Sequence, residues 1–216
     1  MSNPRIVLAS ASPRRAELLA QLGVPFEVAP ADIDEQRHCR EMPESYVARL
    51  AQEKAQAGLL QAGLKQNAQA TDVAAETLAV VIGSDTVVVL DDEILGKPGG
   101  QTEGETMLRK LSGRSHRVLT SVCVASEMLA QTYTAQTEVT FREVEAHEPE
   151  WYWHTGEPAD KAGGYGIQGI GGIFVEEIRG SYSAVVGLPL VETRALLQHV
   201  IFKVCGIDIF REQLHG

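Results

Sequence analysis

Asp85 is the residue whose surroundings most strongly suggest chemistry. It lies between two apolar runs at 80–82 and 87–89, where an ionised carboxylate is costly unless it is paired or holds a metal ion. If residues 83–86 end a strand beside a cleft, Asp85 can bind Mg²⁺ or accept a proton from an attacking water molecule. The structural alternative is an aspartate that caps a turn through neighbouring backbone N–H groups.

Two adjacent cations, Arg14 and Arg15, fall in the first turn of a predicted helix. A buried strand at 5–9 precedes this helix, which begins with Ser12 as N-cap and Pro13 at its first position. Each cation costs a few tenths to about 1 kcal/mol against the positive end of the helix dipole. A bound anion removes this penalty, so a phosphate-bearing ligand is the natural candidate. The alternative is a pair of solvated surface arginines.

Two lysines could also serve an anionic ligand. Lys54 lies on or near the apolar stripe of a helix predicted from Pro43 to about Leu60, so its ammonium group either reaches the edge of the core or points into a cleft. Lys97 lies in a glycine-flanked turn at 96–100, where it is either a phosphate clamp or an exposed loop lysine. Local sequence leaves both choices open.

The composition limits the possible ligands. The chain has 216 residues, 44% of them hydrophobic, and a formal net charge of -10. This charge argues against binding a nucleic acid polymer, but a small polyanion remains possible with a local basic cluster and a divalent cation. Asp32, Asp34 and Glu35, in a predicted loop, either supply oxygen ligands to such a cation or are simply solvated.

Cysteine usage and hydropathy indicate the compartment. Cys39, Cys123 and Cys205 are far apart and form no C-x-x-C pair, so neither a disulfide framework nor a zinc site is indicated. The amino terminus has no long apolar h-region, and no segment approaches the roughly 20 apolar residues needed to cross a bilayer. We expect a soluble protein of the reducing cytosol without a membrane partner.

A glycine-rich stretch at 163–169 contains a formal G-x-G-x-x-G pattern. We reject a dinucleotide fingerprint because no strand precedes the pattern, a β-like segment follows it, and no acid lies at the expected distance. Gln168 within it offers one donor and one acceptor, as recognition of uracil or thymine requires. The alternative is a flexible surface loop. P-loop and nucleophile-elbow motifs do not occur in the sequence.

The elements that must position these residues follow from hydrophobic patterns. We predict strands at 5–9, 78–82, 87–90, 93–95, 118–125, 133–144 and 173–178, and helices at 13–19, 43–60, 102–111, 149–154 and 189–200. Thr102 begins the third helix as part of a capping box, and residues 61–77 form a helix tail and an exposed loop. The pattern indicates a single α/β domain over 1–216, with a mixed, twisted central sheet flanked by helices and two lobes around a substrate cleft.

Six ordered stretches together resemble the Maf family of nucleoside triphosphate pyrophosphatases over about residues 6–197. They lie at 8–15, 53–55, 83–87, 96–98, 111–113 and 160–169. The sequence Ile-Gln-Gly at 167–169 resembles the branch that acts on dTTP and UTP rather than on 7-methyl-GTP. Two departures are Ser84 in place of a more usual alanine, which should not alter the chemistry, and a longer stretch at 61–77.

The resemblance implies a reaction and a set of roles. The reaction is hydrolysis between the α and β phosphates with Mg²⁺ or Mn²⁺, and modified pyrimidine nucleotides are further candidate substrates. Implied roles are proton acceptor for Asp85, substrate choice for Arg14, Thr86 and Gln168, phosphate binding for Ser10, Arg15, Lys54 and Lys97, and metal binding for Glu35 and Asp85. The resemblance also implies a homodimer.

An alternative of a different class is a nucleotide-binding regulator that restrains cell division and septum formation through a protein partner, since the family resembles proteins linked to septum formation. Such a binder could dispense with Asp85. The presence of this carboxylate among candidate phosphate-binding cations favours an enzyme.

Overall fold

The computed structural model describes residues 4–69 and 78–211, and its centre is a seven-stranded mixed sheet. The strands are β1 (Arg5–Leu8), β2 (Glu27–Val28), β3 (Ala79–Leu90), β4 (Glu93–Leu95), β5 (Ser115–Ala125), β6 (Ala130–Phe141) and β7 (Val175–Arg179). The helices of the described residues are α1 (Pro13–Ala20), α2 (Pro43–Gln69), α3 (Gln101–Leu111), α4 (Glu148–His154), α5 (Tyr182–Val186) and α6 (Leu190–Cys205). The predicted α/β class with a mixed sheet and flanking helices is confirmed.

The strand β3 is continuous, whereas the sequence predicted a break at 83–86. It pairs with β5 along residues 81–89, and this long antiparallel ladder satisfies the backbone through the polar segment. The Ser84 hydroxyl lies 2.8 Å from the carbonyl oxygen of Ser121 and 3.0 Å from that of Gly187. Asp85 therefore lies in the middle of a strand, and neither the predicted strand end nor the turn-capping alternative is correct.

The second edge of β3 is only partly covered. Strand β1 runs parallel to it at residues 79–82, and β4 runs antiparallel to it at residues 88–90. Because β5 occupies the opposite edge of β3, β1 and β4 both pair with the same edge, one at each end. Among the described residues, 83–87 have no strand neighbour on this edge, so a gap opens beside Asp85.

Two large apolar clusters lie on either side of this gap. One combines Ile6 and Leu8 with Ile82 and with the buried side of α6. The other packs Val88 and Leu90 against α3, α4 and the aromatic residues around Phe141. The predicted division into two lobes corresponds to these clusters, which share one continuous sheet.

Several helix boundaries differ from the prediction because contacts outside each local pattern determine them. Helix α2 was predicted to end near Leu60 and to be followed by a helix tail and a loop at 61–77. The helix in fact continues to Gln69. The rest of the predicted loop, at 70–77, lies outside the described residues. Helix α3 begins after Gly100 rather than at Thr102, and Glu103 accepts a hydrogen bond from the Gly99 N–H. The last helix, predicted at 189–200, extends to Cys205.

Strand boundaries and the first N-cap also differ. The antiparallel pair β5 and β6 begins earlier than predicted, at Ser115 and Ala130, because each strand extends the ladder of the other. The strand predicted at 173–178 is β7, preceded by a 3-10 turn at Ile170–Phe174. Ser12 has the predicted N-cap position, but its side chain makes no capping hydrogen bond. No helix of the described residues is long and apolar enough to cross a membrane.

Candidate active site

A cavity of about 990 Å³ opens at the gap in the β3 edge. Its walls come from the turn after β1, from α1, α2 and β3, from the turn after β4, and from the glycine-rich segment. All nine residues to which the family resemblance assigns a role line it: Ser10, Arg14, Arg15, Glu35, Lys54, Asp85, Thr86, Lys97 and Gln168. Of the three acids of the predicted loop, Glu35 lines the cavity, whereas Asp32 and Asp34 are not among its lining residues. The fold therefore brings together residues that are separated by more than 150 positions in the sequence.

The centre of the site is a lysine between two carboxylates. The Lys54 Nζ atom lies 2.7 Å from Asp85 Oδ1 and 2.7 Å from Glu35 Oε1. Lys54 and Asp85 are each only 8% exposed, so the lysine points into the cleft rather than to the edge of the core. The ion pair satisfies the buried Asp85 carboxylate, which is the requirement inferred from its apolar neighbours.

The loop that carries Glu35 is fixed to helix α2. The Tyr46 hydroxyl donates to the Glu35 carbonyl oxygen at 2.8 Å, and Arg49 donates to the Gln36 carbonyl oxygen at 3.0 Å. Burial raises the pKa of the Glu35 carboxyl, but the hydrogen bond and charge of Lys54 and the charge of Lys97 outweigh it. The net pKa is below its ordinary value, so Glu35 is ionised at neutral pH.

Glu35 and Asp85 fit a hard divalent cation. Their carboxylate oxygens converge on one point, the Lys54 ammonium group, and carboxylate oxygens are the protein ligands that Mg²⁺ prefers. Within the described ranges, no group of three or more His, Cys, Asp or Glu residues is placed to hold a metal ion. Mg²⁺ is often held by one or two carboxylates together with substrate phosphates and water, and this pair suits that arrangement.

Arg15 occupies the opposite side of β3 from Lys54. Its Nε donates to the Gly187 carbonyl oxygen at 2.9 Å, and its two terminal nitrogens lie 3.2 Å from Ser10 Oγ and 3.3 Å from Thr86 Oγ1. Desolvation lowers the pKa of this guanidinium, and the Asp85 carboxylate opposes the shift. Arg15 is thus a positioned cation in the cavity wall rather than a solvated surface arginine, and it remains protonated at neutral pH.

Arg14 lies at the mouth of the cavity. Its terminal nitrogen is 3.8 Å from Asp160 Oδ2, and both side chains are partly exposed. Because Asp160 belongs to the segment that follows α4, this weak pair extends across the cavity entrance from α1. An incoming anion can therefore compete with Asp160 for Arg14.

The glycine-rich segment joins two 3-10 turns, at Ala162–Gly164 and Ile170–Phe174, so it is not the strand-to-helix turn of a dinucleotide fingerprint. Gly163 has φ +71°, and its N–H donates to the Gly96 carbonyl oxygen at 2.9 Å. This bond joins the segment to the turn that carries Lys97. Gln168 is exposed at the cavity wall, where its amide is accessible to a ligand.

Comparison with known proteins shows the family of the chain. The sequence model of the Maf-like protein family matches residues 5–200. The chain belongs to the Maf-like protein family. It is 51% identical over 195 residues to the dTTP/UTP pyrophosphatase of Pseudoalteromonas atlantica, with 90% of this chain and 96% of the relative covered. It is 50% identical over 197 residues to the protein of the same name from Vibrio cholerae, with 91% and 98% covered.

A solved structure, that of the Staphylococcus aureus Ham1 protein, matches 63% of this Maf-like chain and 71% of its own, with 14% sequence identity and a TM-score of 0.40.

Sequence reasoning missed several residues of the Maf-like site. Glu157, Asp160, Lys161 and Tyr165 also line the cavity, giving five cationic and four anionic residues in its walls. Residues 160–169 were part of the family resemblance, but the pattern assigned no role to the charged pair at 160 and 161. Glu157 has no local signal, because its partners lie on other elements.

Proposed function

We propose that this Maf-like protein is a nucleoside triphosphate pyrophosphatase that hydrolyses dTTP and UTP to the monophosphate and pyrophosphate. The observation that carries the proposal is the buried Asp85 carboxylate, which lies 2.7 Å from the Lys54 ammonium group. Three further cations with a predicted role in substrate binding, Arg14, Arg15 and Lys97, line the same cavity. Close relatives that carry the name dTTP/UTP pyrophosphatase support the same reaction. Modified pyrimidine nucleotides are further candidate substrates.

The proposed reaction is direct attack by water, which needs no protein nucleophile. The water oxygen forms a bond to the α-phosphorus, and the bond between this phosphorus and the oxygen bridging to the β-phosphorus breaks. Asp85 accepts the proton of the water, a role that requires the ionised carboxylate that Lys54 stabilises. Pyrophosphate leaves with the bridging oxygen.

The cations of the cavity stabilise the charge that this reaction develops. Arg15, held by Ser10 and Gly187, gives a fixed guanidinium for a phosphate oxygen, and preorganised donors of this kind contribute most to catalysis. Lys54 and Lys97 add positive charge from α2 and from the turn after β4. A divalent metal at Glu35 and Asp85 would polarise the phosphates and neutralise the pyrophosphate leaving group.

Three further residues of the cavity are candidates for base selection. Gln168 offers an amide donor and acceptor to the edge of uracil or thymine, and Arg14 and Thr86 line the same cavity. The Thr86 hydroxyl is already oriented by Arg15 at 3.3 Å and by Thr120 at 3.0 Å. We propose that these three residues determine which nucleotide is accepted.

The regulatory alternative requires nucleotide binding but no proton acceptor. A carboxylate buried against a lysine is an expensive feature for a protein that only binds, and it is useful for activating water. We therefore favour the enzyme. We also propose a cytoplasmic homodimer, which sedimentation of the purified protein would test.

The decisive experiment is a product-resolved assay with Mg²⁺ or Mn²⁺ against dTTP, UTP, CTP, ATP, ITP and 7-methyl-GTP. We expect monophosphate and pyrophosphate mainly from dTTP and UTP. Release of inorganic phosphate as the primary product, or equal cleavage of all six nucleotides, would contradict the proposal. Nucleotide binding without cleavage would favour the regulatory function.

A further inference from the structure

Glu157 lies beneath the loop that carries Gln168, here called the Gln168 loop (residues 166–171). One carboxylate oxygen, Oε1, accepts from the Tyr152 hydroxyl at 2.6 Å and from the Gly171 N–H at 2.9 Å. The other, Oε2, accepts from the Ile170 N–H at 2.8 Å. The Tyr152 hydroxyl in turn accepts from the Gly166 N–H at 3.1 Å. The pair therefore binds backbone N–H groups on both sides of Gln168.

The glycines of this loop are explained by the same pair. A Cβ atom on Gly169 would overlap Glu157 Oε2, and one on Gly166 would lie 3.0 Å from Glu157 Oε1. A Cβ atom on Gly171 would lie 2.5 Å from the Tyr152 hydroxyl oxygen. The backbone lies directly against the carboxylate and the phenol, so the spacing that resembles a dinucleotide fingerprint instead permits close approach to a partly buried carboxylate.

The charge state of Glu157 agrees with this geometry. Burial raises the pKa of its carboxyl, but hydrogen bonds from Tyr152, Gly171 and Ile170 outweigh the burial and bring the net pKa below its ordinary value. Tyr152 itself is fully buried. The acceptor is thus an ionised carboxylate, and hydrogen bonds to an ionised acceptor are stronger than those between neutral groups.

We propose that Glu157 and Tyr152 are positioning residues for base selection, acting by fixing the backbone of the Gln168 loop against the cavity. The proposal rests on the proposed function. Uracil presents an N–H donor and an oxygen acceptor, whereas cytosine presents the reverse pair at the same positions. An amide can turn over and pair with either edge. Discrimination therefore requires that neighbouring groups of the cavity favour one orientation of the amide, and they can do so only if the loop holds Gln168 at a constant position beside them.

The test compares Glu157→Gln and Tyr152→Phe with the wild type. In Glu157→Gln the new NH₂ group faces a backbone N–H donor that it cannot satisfy, and Tyr152→Phe removes one hydroxyl. Gln168→Ala is the comparison for lost base recognition. The matched control is Glu150→Gln, which removes the charge of an exposed glutamate on α4.

The readout is kcat/KM for UTP divided by kcat/KM for CTP, together with kcat for UTP and the Mn²⁺ concentration that gives half-maximal activity. We expect the ratio to fall roughly tenfold in Glu157→Gln and in Tyr152→Phe, as in Gln168→Ala, from the loss of a charge-assisted or buried hydrogen bond. The Mn²⁺ midpoint and the Glu150→Gln control should stay at wild-type values. Amide hydrogen exchange should accelerate in the Gln168 loop and leave β3 unchanged.

The outcomes separate this proposal from the proposed function. If the wild type cleaves UTP and both variants keep its UTP-to-CTP ratio, this proposal is overturned and the function stands. An equal loss on UTP and CTP also overturns it, because it indicates a purely structural role. If the wild type cleaves neither nucleotide, the proposed function fails and this proposal fails with it. If Glu157→Gln does not fold, the ratio in Tyr152→Phe decides the matter.

Discussion

At the scale of single residues, the site depends on how one lysine serves two carboxylates. The Lys54 Nζ atom lies 2.7 Å from one carboxylate oxygen of Asp85 and 2.7 Å from one of Glu35. The two acids therefore share one cation. A substitution at either acid leaves the lysine paired with the other. The charge of Asp85 can therefore be removed without leaving an isolated buried cation.

We expect Asp85→Asn to reduce turnover of UTP by roughly 10² or more, because the amide keeps the shape of the side chain but cannot accept the proton of water. The folded state should persist because Lys54 keeps its contact with Glu35. Turnover measured with product resolution checks the prediction. The control is Asp92→Asn, in the exposed turn after β3 with φ +65°, a conformation that asparagine tolerates. Near-normal turnover of Asp85→Asn would remove the proton-acceptor role.

We expect Lys54→Met to raise the pKa of the Glu35 carboxyl, because Lys54 supplies the hydrogen bond and the largest charge that hold this pKa low. Glu35 would then lose its ionised form at a higher pH than in the wild type. The measurement is an NMR titration of the Glu35 carboxyl carbon in metal-free protein. Lys110→Met, which removes an exposed partner of Glu93, should leave it unchanged. An unaltered titration in Lys54→Met would show that other groups stabilise the carboxylate.

At the scale of elements, the site depends on the close packing of α2 on β3. Gly83 lies where the helix crosses the strand, and an added Cβ atom would overlap the Ala51 carbonyl oxygen and lie 2.5 Å from the Ala55 nitrogen. Lys54 is between these two helix residues, and Asp85 is two positions from the glycine. The same contact that packs the helix thus sets the distance between the lysine and the aspartate.

We expect Gly83→Ala to force α2 away from β3, lowering the free energy of unfolding by about 1–3 kcal/mol and reducing turnover together with it. Gly63→Ala is a control on the same helix, because its Cβ atom would meet no atom of the described residues within 4 Å. It should be neutral or stabilise by up to about 1 kcal/mol through helix propensity. Urea unfolding and UTP turnover of both variants check this. Equal stability of the two variants would contradict the packing argument.

At the scale of the whole molecule, His116 connects the sheet to the glycine-rich segment. It lies on β5, is 2% exposed, and its Nε2 is 2.8 Å from the Tyr165 hydroxyl. Its Nδ1 has no hydrogen-bond partner among the residues that the structure describes. Phe141 packs edge-on against the ring at 5.0 Å. Burial lowers the pKa of His116 to about 4, so the imidazole is neutral in the folded protein at pH 5 to 7.

This lowered pKa makes global stability depend on pH. In the unfolded chain His116 takes up a proton below about pH 6.5, while in the folded protein it does so only near pH 4. The unfolded state therefore binds more protons in this window, and the free energy of unfolding falls as the pH drops from 6.5 to 4. The full effect is on the order of 3 kcal/mol, and above pH 6.5 it vanishes.

We expect His116→Phe to lack this part of the acid destabilisation, although it loses the hydrogen bond to Tyr165 at every pH. The measurement is urea unfolding at pH 7 and at pH 4.5, compared between variant and wild type. The difference between the two pH values should be smaller in the variant by about 2 kcal/mol. His199→Gln, which removes an exposed histidine on α6, is the control. The same pH dependence in His116→Phe and the wild type would contradict the assignment.

The chemical groups of the site and most of the helices and strands can be predicted from the amino-acid sequence alone. Apolar runs and turn residues predicted β1, α1, α2 and the β5–β6 pair, because local periodicity and side-chain chemistry are encoded in neighbouring residues. The unfavourable positions of Asp85 and Arg15 also indicated ligands or partners. The family resemblance selected nine residues, and all nine line one cavity.

The contacts between these groups, by contrast, follow from how distant parts of the chain pack together. The polar segment at 83–86 stays in a strand because β5 pairs with it, and the cavity exists because β1 and β4 cover different parts of one β3 edge. The same holds for the contacts of Lys54 with both acids and for Glu157 beneath the Gln168 loop. These features depend on hydrogen bonds and ion pairs between residues far apart in the chain, which local periodicity does not encode.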